Sequence, residues 1–204
     1  MKRALVIVDV QNDFVPGGAL AVAEGDKVVP IINLLQEKFG LVLATQDWHP
    51  ANHGSFAANH PNRAVGELIQ LNGLPQILWP VHCVQHSKGA DFHPGLSRDK
   101  WKAIFQKGTN PMVDSYSGFF DNGKLGDTGL GGFLKKEGVD QIYVCGLATD
   151  YCVKFTVLDA LAQGFETILV ADACRAVNLA NGDGDMAIDE MVRAGAKITD
   201  SASI

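Results

Sequence analysis

"ALVIVDV", residues 4–10, is the stretch on which the reading of the fold turns. Its apolar residues follow one another without alternation, and Asp9 is its only charge. A strand with one wet face alternates apolar and polar residues, whereas a strand covered on both faces reads as a continuous apolar run, the habit of parallel sheets. Four more runs repeat the pattern: "LVLATQD" (41–47), "KAIFQKG" (102–108), "QIYVCGL" (141–147) and "TILVADA" (167–173), with "AKIT" (196–199) as a short last one. Between them lie segments with helical apolar spacing, "DKVVPIINLLQEKF" (26–39), "GGFLKKEG" (131–138), "TDYCVKFTVLDALAQG" (149–164) and "DMAIDEMVRAG" (185–195). Strands alternating with helices make βαβ units. The expected fold is a three-layer α/β/α domain over residues 1–204, an open, mostly parallel sheet with helices on both faces. Residues 52–80, rich in Asn, His, Pro and Gly, are expected to form a loop-rich insertion.

Composition narrows the function classes. With 17 basic against 23 acidic side chains the formal charge is -6, and no Lys/Arg cluster offers a footing for a phosphate backbone, so nucleic acid is not an expected partner. No apolar run approaches the roughly 20 residues that span a bilayer, so no membrane partner is expected. Asp9 interrupts the N-terminal apolar run too early for a signal-peptide core. The four cysteines, Cys83, Cys145, Cys152 and Cys174, show no CxxC spacing, and free thiols in a reducing, cytoplasmic setting are expected. The glycines of "GDTGLGGF" (126–133) fail the GxGxxG spacing at Leu134 and follow no strand, which argues against a dinucleotide site. A homo-oligomer is expected only on base rates.

In open α/β sheets, ligands bind beyond the carboxyl ends of the strands. Asp9 closes the first run, Asp47 and His49 follow the second, Lys107 ends the third, and Cys152 stands one turn past "QIYVCGL". Each has an ordinary reading: Asp9 as a loop cap, Lys107 as a solvated charge, Cys152 as a small buried apolar group. Their coincidence on one edge points to a site. Thr149 and Asp150 are good N-cap residues, so Cys152 is expected in the first turn of a helix, where the helix terminus and Lys107 would both favour the thiolate. Cys83, Cys145 and Cys174 read as structural.

A second cluster, Asp47, His49 and His82, offers a carboxylate and two imidazoles from separate loops, a donor set suited to a catalytic-type Zn, Fe or Mn ion. "DWHP" as a turn and His82 as a satisfied loop histidine is the competing reading. His60, His86 and His93 read as surface histidines, and Phe119 and Phe120 as core.

Six motifs, "VIVDVQNDF" (6–14), "TQDWHPANH" (45–53), "WPVHCV" (79–84), "QKGTNP" (106–111), "SYSGF" (115–119) and "CGLATDYCV" (145–153), run through nearly the whole chain. Together they resemble the nicotinamidase/pyrazinamidase family of the isochorismatase-like cysteine hydrolases. The resemblance implies an amidohydrolase that converts nicotinamide to nicotinic acid and ammonia through a thioester, with pyrazinamide as a further substrate. It implies Asp9, Lys107 and Cys152 as the catalytic set, and the N–H groups of Ala148 and Cys152 as the oxyanion hole beside a cis Leu147–Ala148 bond. One divalent ion is implied on Asp47, His49 and His82, zinc first, with iron or manganese as alternatives. His53 or Ser55 is open as a further ligand. Phe14, Trp79 and Tyr116, with Tyr151 nearby, match the family's aromatic box for a small aromatic carboxamide, core packing being the other reading. Alternatives are an isochorismatase-like or N-carbamoyl amide hydrolase of the same fold, or a non-catalytic protein that binds a small aromatic ligand.

Overall fold

The computed structural model describes all 204 residues, Met1–Ile204. The run that opens the sequence is a strand, β1 (Arg3–Val8), and its residues Ala4 to Val8 are all buried. It lies inside a six-stranded sheet with β2 (Val42–Asp47), β5 (Trp101–Lys107), β6 (Gln141–Leu147), β7 (Glu166–Arg175) and β8 (Lys197–Thr199). The order across the sheet is β5-β2-β1-β6-β7-β8, and every pairing is parallel. β2 is buried at all six positions, whereas the edge strand β5 alternates half-buried and exposed residues up to Lys107. That contrast is the one between a strand covered on both faces and an edge strand with one face open to solvent.

The helices are α1 (Val28–Gln36), α2 (Leu130–Lys136), α3 (Lys154–Ala162) and α4 (Asp183–Arg193). The chain winds from β1 through β2 to β5, then returns to β6 and winds the other way. Right-handed crossovers running in opposite directions put their helices on opposite faces. Accordingly α1 and α3 both pack against β6 and β7, one on each face, and the core of 42 buried apolar residues fills the space between the layers. The strand order reverses between β1 and β6. At such a switch point the loops after two neighbouring strands diverge and leave a crevice, with Asp9 on one lip and the segment after Leu147 on the other. No helix is long and apolar enough to cross a membrane.

Several expectations are corrected. The first helix is shorter than 26–39, because a 3-10 turn at Gly25–Lys27 precedes it. The insertion at 52–80 is not wholly irregular: β3 (Leu68–Leu71) and β4 (Leu74–Ile77) form an antiparallel hairpin around Asn72 and Gly73, both at positive φ. Asn-Gly between short apolar runs is a strong hairpin signal. β7 runs past the expected end at residue 173 to Arg175, so Cys174 lies within the strand and not just beyond it. Cys152 does stand in the first turn of a helical segment, but that turn is neither α-helical nor capped as expected. Thr149–Val153 forms a π-helical turn that runs into α3, and no side chain caps it. The Asp150 carboxylate accepts instead from the N–H groups of Val177 and Asn178, at 2.9 and 2.8 Å.

Candidate active site

The ends of β1, β2 and β5 and the turn after β6 bring four side chains into one buried cluster. Lys107 Nζ lies 2.8 Å from Asp9 Oδ2, 2.8 Å from Asp47 Oδ1 and 3.3 Å from Cys152 Sγ. It also donates to the Ser115 carbonyl at 2.9 Å. A fully buried ammonium among two carboxylates, a thiol and a carbonyl is solvated by protein groups in place of water. Burial alone would strip its proton, but Asp47, Asp9 and Cys152 outweigh that and hold Lys107 well above its ordinary pKa.

The electrostatics of the thiol differ from expectation. Burial pushes Cys152 up, Lys107 opposes it, and the charges of Asp9 and Asp47 add to the rise, so its pKa stands well above the ordinary thiol value. The group rests as S–H. Asp9 is also raised, first by burial and then by Asp47, with Lys107 pulling the other way. Its Oδ2, although 2.8 Å from Lys107 Nζ, makes no hydrogen bond of acceptable geometry. A carboxylate with a lone pair to spare beside a protonated thiol is an acid–base pair ready to exchange one proton.

Asp47 turns its other oxygen to the histidines: Oδ2 lies 3.3 Å from His49 Nε2 and 3.6 Å from His82 Nε2. His49 Nδ1 is 2.9 Å from the Gly108 carbonyl and His82 Nδ1 is 2.8 Å from the Pro80 carbonyl. A carbonyl only accepts, so both Nδ1 atoms carry hydrogen, and each Nε2 faces the carboxylate oxygen as a lone pair in the neutral ring or as an N–H in the protonated one. Three lone-pair donors facing one another need a cation, or protons, between them. Burial would raise Asp47, but Lys107 and His49 outweigh it and hold the carboxyl well below its usual range. The trio can hold a metal, and its donor chemistry fits a divalent ion with open positions.

His53 and Ser55 do not join this trio. His53 Nδ1 pairs with Ser55 Oγ at 2.7 Å, and the ring groups with His49 and Asp114. Its buried Nε2 has no partner. His86 is exposed as expected, whereas His60 and His93 are half-buried. Phe119 is core, and Phe120 packs against the core.

Above the thiol opens a small cleft lined mainly by apolar side chains, among them Phe14, Trp79, Tyr116 and Tyr151, with Asp47, His82, Ala148 and Cys152. The Tyr151 ring stands edge-on to Trp79 and to Tyr116, at 4.9 and 5.5 Å between centroids. The sequence reading missed Leu20, Asp114 and Val177, which complete the lining. Asp114 directly precedes the "SYSGF" stretch, the one signal that pointed to its place. The Leu147–Ala148 bond is cis, and the Ala148 N–H donates to no group of the protein.

The family model of the isochorismatase domain matches residues 3–203. The chain belongs to the isochorismatase family. Within that family, this isochorismatase-family chain is 52% identical over 200 residues to the nicotinamidase of Escherichia coli (strain K12), covering 96% of this chain and 93% of the relative. Its fold superposes on the nicotinamidase/pyrazinamidase structure of Acinetobacter baumanii with a TM-score of 0.96 at 47% identity, over 99% of this chain and 97% of that one. The pyrazinamidase of Pyrococcus horikoshii, described in complex with zinc, matches at TM-score 0.80 and 41% identity over 98% and 99% of the two chains.

Proposed function

We propose that this chain is a nicotinamidase, a cysteine amidohydrolase that converts nicotinamide and water to nicotinic acid and ammonia. The observation that carries the reading is the placement of Lys107 Nζ 3.3 Å from the Cys152 thiol and 2.8 Å from Asp9, beneath a cleft walled by aromatic rings. A carboxamide is a poor electrophile with a poor leaving group, so its hydrolysis needs a strong nucleophile, a proton shuttle and a place for the oxyanion.

The geometry supports each role. Cys152 Sγ attacks the amide carbon as Asp9 Oδ2 takes its proton. Since the resting thiol is held protonated, the proton moves with the attack and no standing thiolate is required. Shuttling of this kind contributes on the order of 100- to 10,000-fold. The N–H groups of Ala148 and Cys152 receive the oxyanion, and Ala148 has its N–H free for the task. Collapse breaks the C–N bond, Asp9 returns the proton to the departing ammonia, and the acyl group stays on sulfur as a thioester. Water, deprotonated by Asp9, then attacks the thioester and releases the acid and the thiol. Lys107 holds Asp9 and stabilises negative charge on the sulfur throughout.

Phe14, Trp79, Tyr116 and Tyr151 supply flat apolar walls for a pyridine or pyrazine ring. Asp47, His49 and His82 would hold one divalent ion, zinc by analogy with the Pyrococcus relative, whose chemistry is to take the ring nitrogen and orient the ring. The isochorismatase-like and N-carbamoyl alternatives are not favoured, because nicotinamidases are the relatives of high identity. Mixing the protein with nicotinamide and following ammonia tests the reading: steady release of ammonia with matching nicotinic acid is expected, and binding without release would make this a ligand-binding protein.

A further inference from the structure

Two features behind Asp9 have no part in the steps above. Thr45, fully buried on β2, donates its hydroxyl to Asp9 Oδ1 at 2.6 Å. Gly118, in the "SYSGF" stretch, lies against Thr45 so closely that a Cβ there would sit 2.6 Å from Thr45 Cγ2. Gly118 does not have a positive φ, so backbone freedom is not what calls for glycine at this position. The missing side chain makes the room, and the segment is fixed there by the Gly118 N–H, which donates to Thr156 Oγ1 at 2.9 Å.

We propose that Thr45 is the positioning residue of Asp9, and that Gly118 is required so that Thr45 can stand where it does. The inference rests on the reading of Asp9 as the proton shuttle. Asp9 lies at φ 48°, which fixes where its Cβ projects, but the last torsion of an aspartate is soft and broad. A carboxylate beside a buried ammonium gains by turning both oxygens toward it, because charge-assisted bonds are the strong ones. Oδ2 already lies 2.8 Å from Lys107 Nζ, so such a rotation would bring Oδ1 to the ammonium as well and turn the free side of Oδ2 away from the Cys152 proton. The Thr45 hydroxyl competes for Oδ1 and holds the carboxylate edge-on, with one oxygen anchored and the other facing Lys107 and the thiol. Thr45 is β-branched, so its χ1 is stiff and the donor stays aimed.

The test is a cycle of variants assayed with nicotinamide. Thr45→Val keeps the shape and removes the donor, and kcat should fall about 10- to 100-fold, the usual cost of a small misplacement of a reacting group, with KM changed less than about threefold. Thr45→Ser keeps the hydroxyl and should retain most of kcat. Gly118→Ala should lose kcat as Thr45→Val does. Because Thr45→Ser also removes Cγ2, Gly118→Ala should cost much less in the Thr45→Ser background than alone. That rescue is not expected if Gly118 serves only general packing. Undiminished kcat in Thr45→Val, or equal losses from Gly118→Ala in both backgrounds, overturns the inference. Asp9→Asn separates the levels: full activity there would remove the shuttle role itself, whereas an inactive Asp9→Asn beside a fully active Thr45→Val would remove only the role of Thr45.

Discussion

Lys107 Nζ lies 2.8 Å from Asp47 Oδ1, and this contact joins the histidine cluster to the nucleophile. Asp47 faces the lysine with one oxygen and His49 and His82 with the other. Its carboxylate belongs to both parts of the site, whereas His82 belongs to one.

That asymmetry separates two variants. His82→Ala should lower bound metal and raise KM while leaving kcat at saturation within a few fold. Asp47→Ala should lower bound metal equally and also depress kcat by at least about tenfold, because Lys107 loses one of its two carboxylates and the charge balance around the thiol shifts. Metal content by elemental analysis beside steady-state kinetics decides it; matching kcat losses in the two variants would count against the bridge.

Thiol chemistry should be selective. All four cysteines are free and buried, and burial raises the pKa of each, so access decides between them, and only Cys152 lines the cleft. Slow alkylation by a small reagent should inactivate the enzyme at one equivalent and map to Cys152. Nicotinamide should protect. Cys152→Ala should abolish turnover and still bind the amide, as measured by calorimetry.

Stability should fall with acid in part through His53. Burial first, then the charge of His49, holds its pKa down at about 4 against an ordinary 6.5. The unfolded chain therefore takes up the proton below about pH 6.5 and the fold refuses it until about pH 4, so this contribution is full above 6.5 and is lost as pH falls between the two. The drop is on the order of 3 kcal/mol. Urea unfolding with chelator present should show the native chain losing more stability between pH 7.5 and pH 5 than His53→Leu does; parallel losses would remove His53 as the cause.

Most of the fold was legible because continuous apolar runs carry their own signal. β6 matches its run residue for residue, and β1, buried on both sides, announced the parallel sheet. The hairpin at Leu68–Ile77 was missed although Asn72-Gly73 marks its turn, because its strands have only four residues each and sit among Asn, His and Pro. The π-helical turn was illegible for another reason. Thr149 and Asp150 have capping chemistry, but Asp150 is drawn by tertiary contact to Val177 and Asn178, and no local pattern records a partner 27 residues away. At the site, the residues that end strands were found by position. Thr45, inside a strand, was not, since a threonine in an apolar run reads as β propensity.

Chelation should discriminate between two amides. If the Asp47, His49 and His82 cluster serves to orient a ring nitrogen, stripping the metal should raise KM for nicotinamide strongly, while benzamide, without that nitrogen, should start as a poor substrate and change little. kcat/KM for both amides in loaded and stripped protein gives the comparison. Equal losses would exclude the ring-nitrogen role.

If the acyl group passes through Cys152, acid quenching during turnover should trap it there. Protein mixed with nicotinamide, quenched within the first turnovers and digested, should yield the peptide containing Cys152 heavier by one nicotinoyl group, formed with one equivalent of ammonia and lost on further incubation as nicotinic acid appears. Asp9→Asn should form little of it. Ammonia release with no acyl adduct on any quench time, or with the adduct on Cys83, Cys145 or Cys174, would contradict the account.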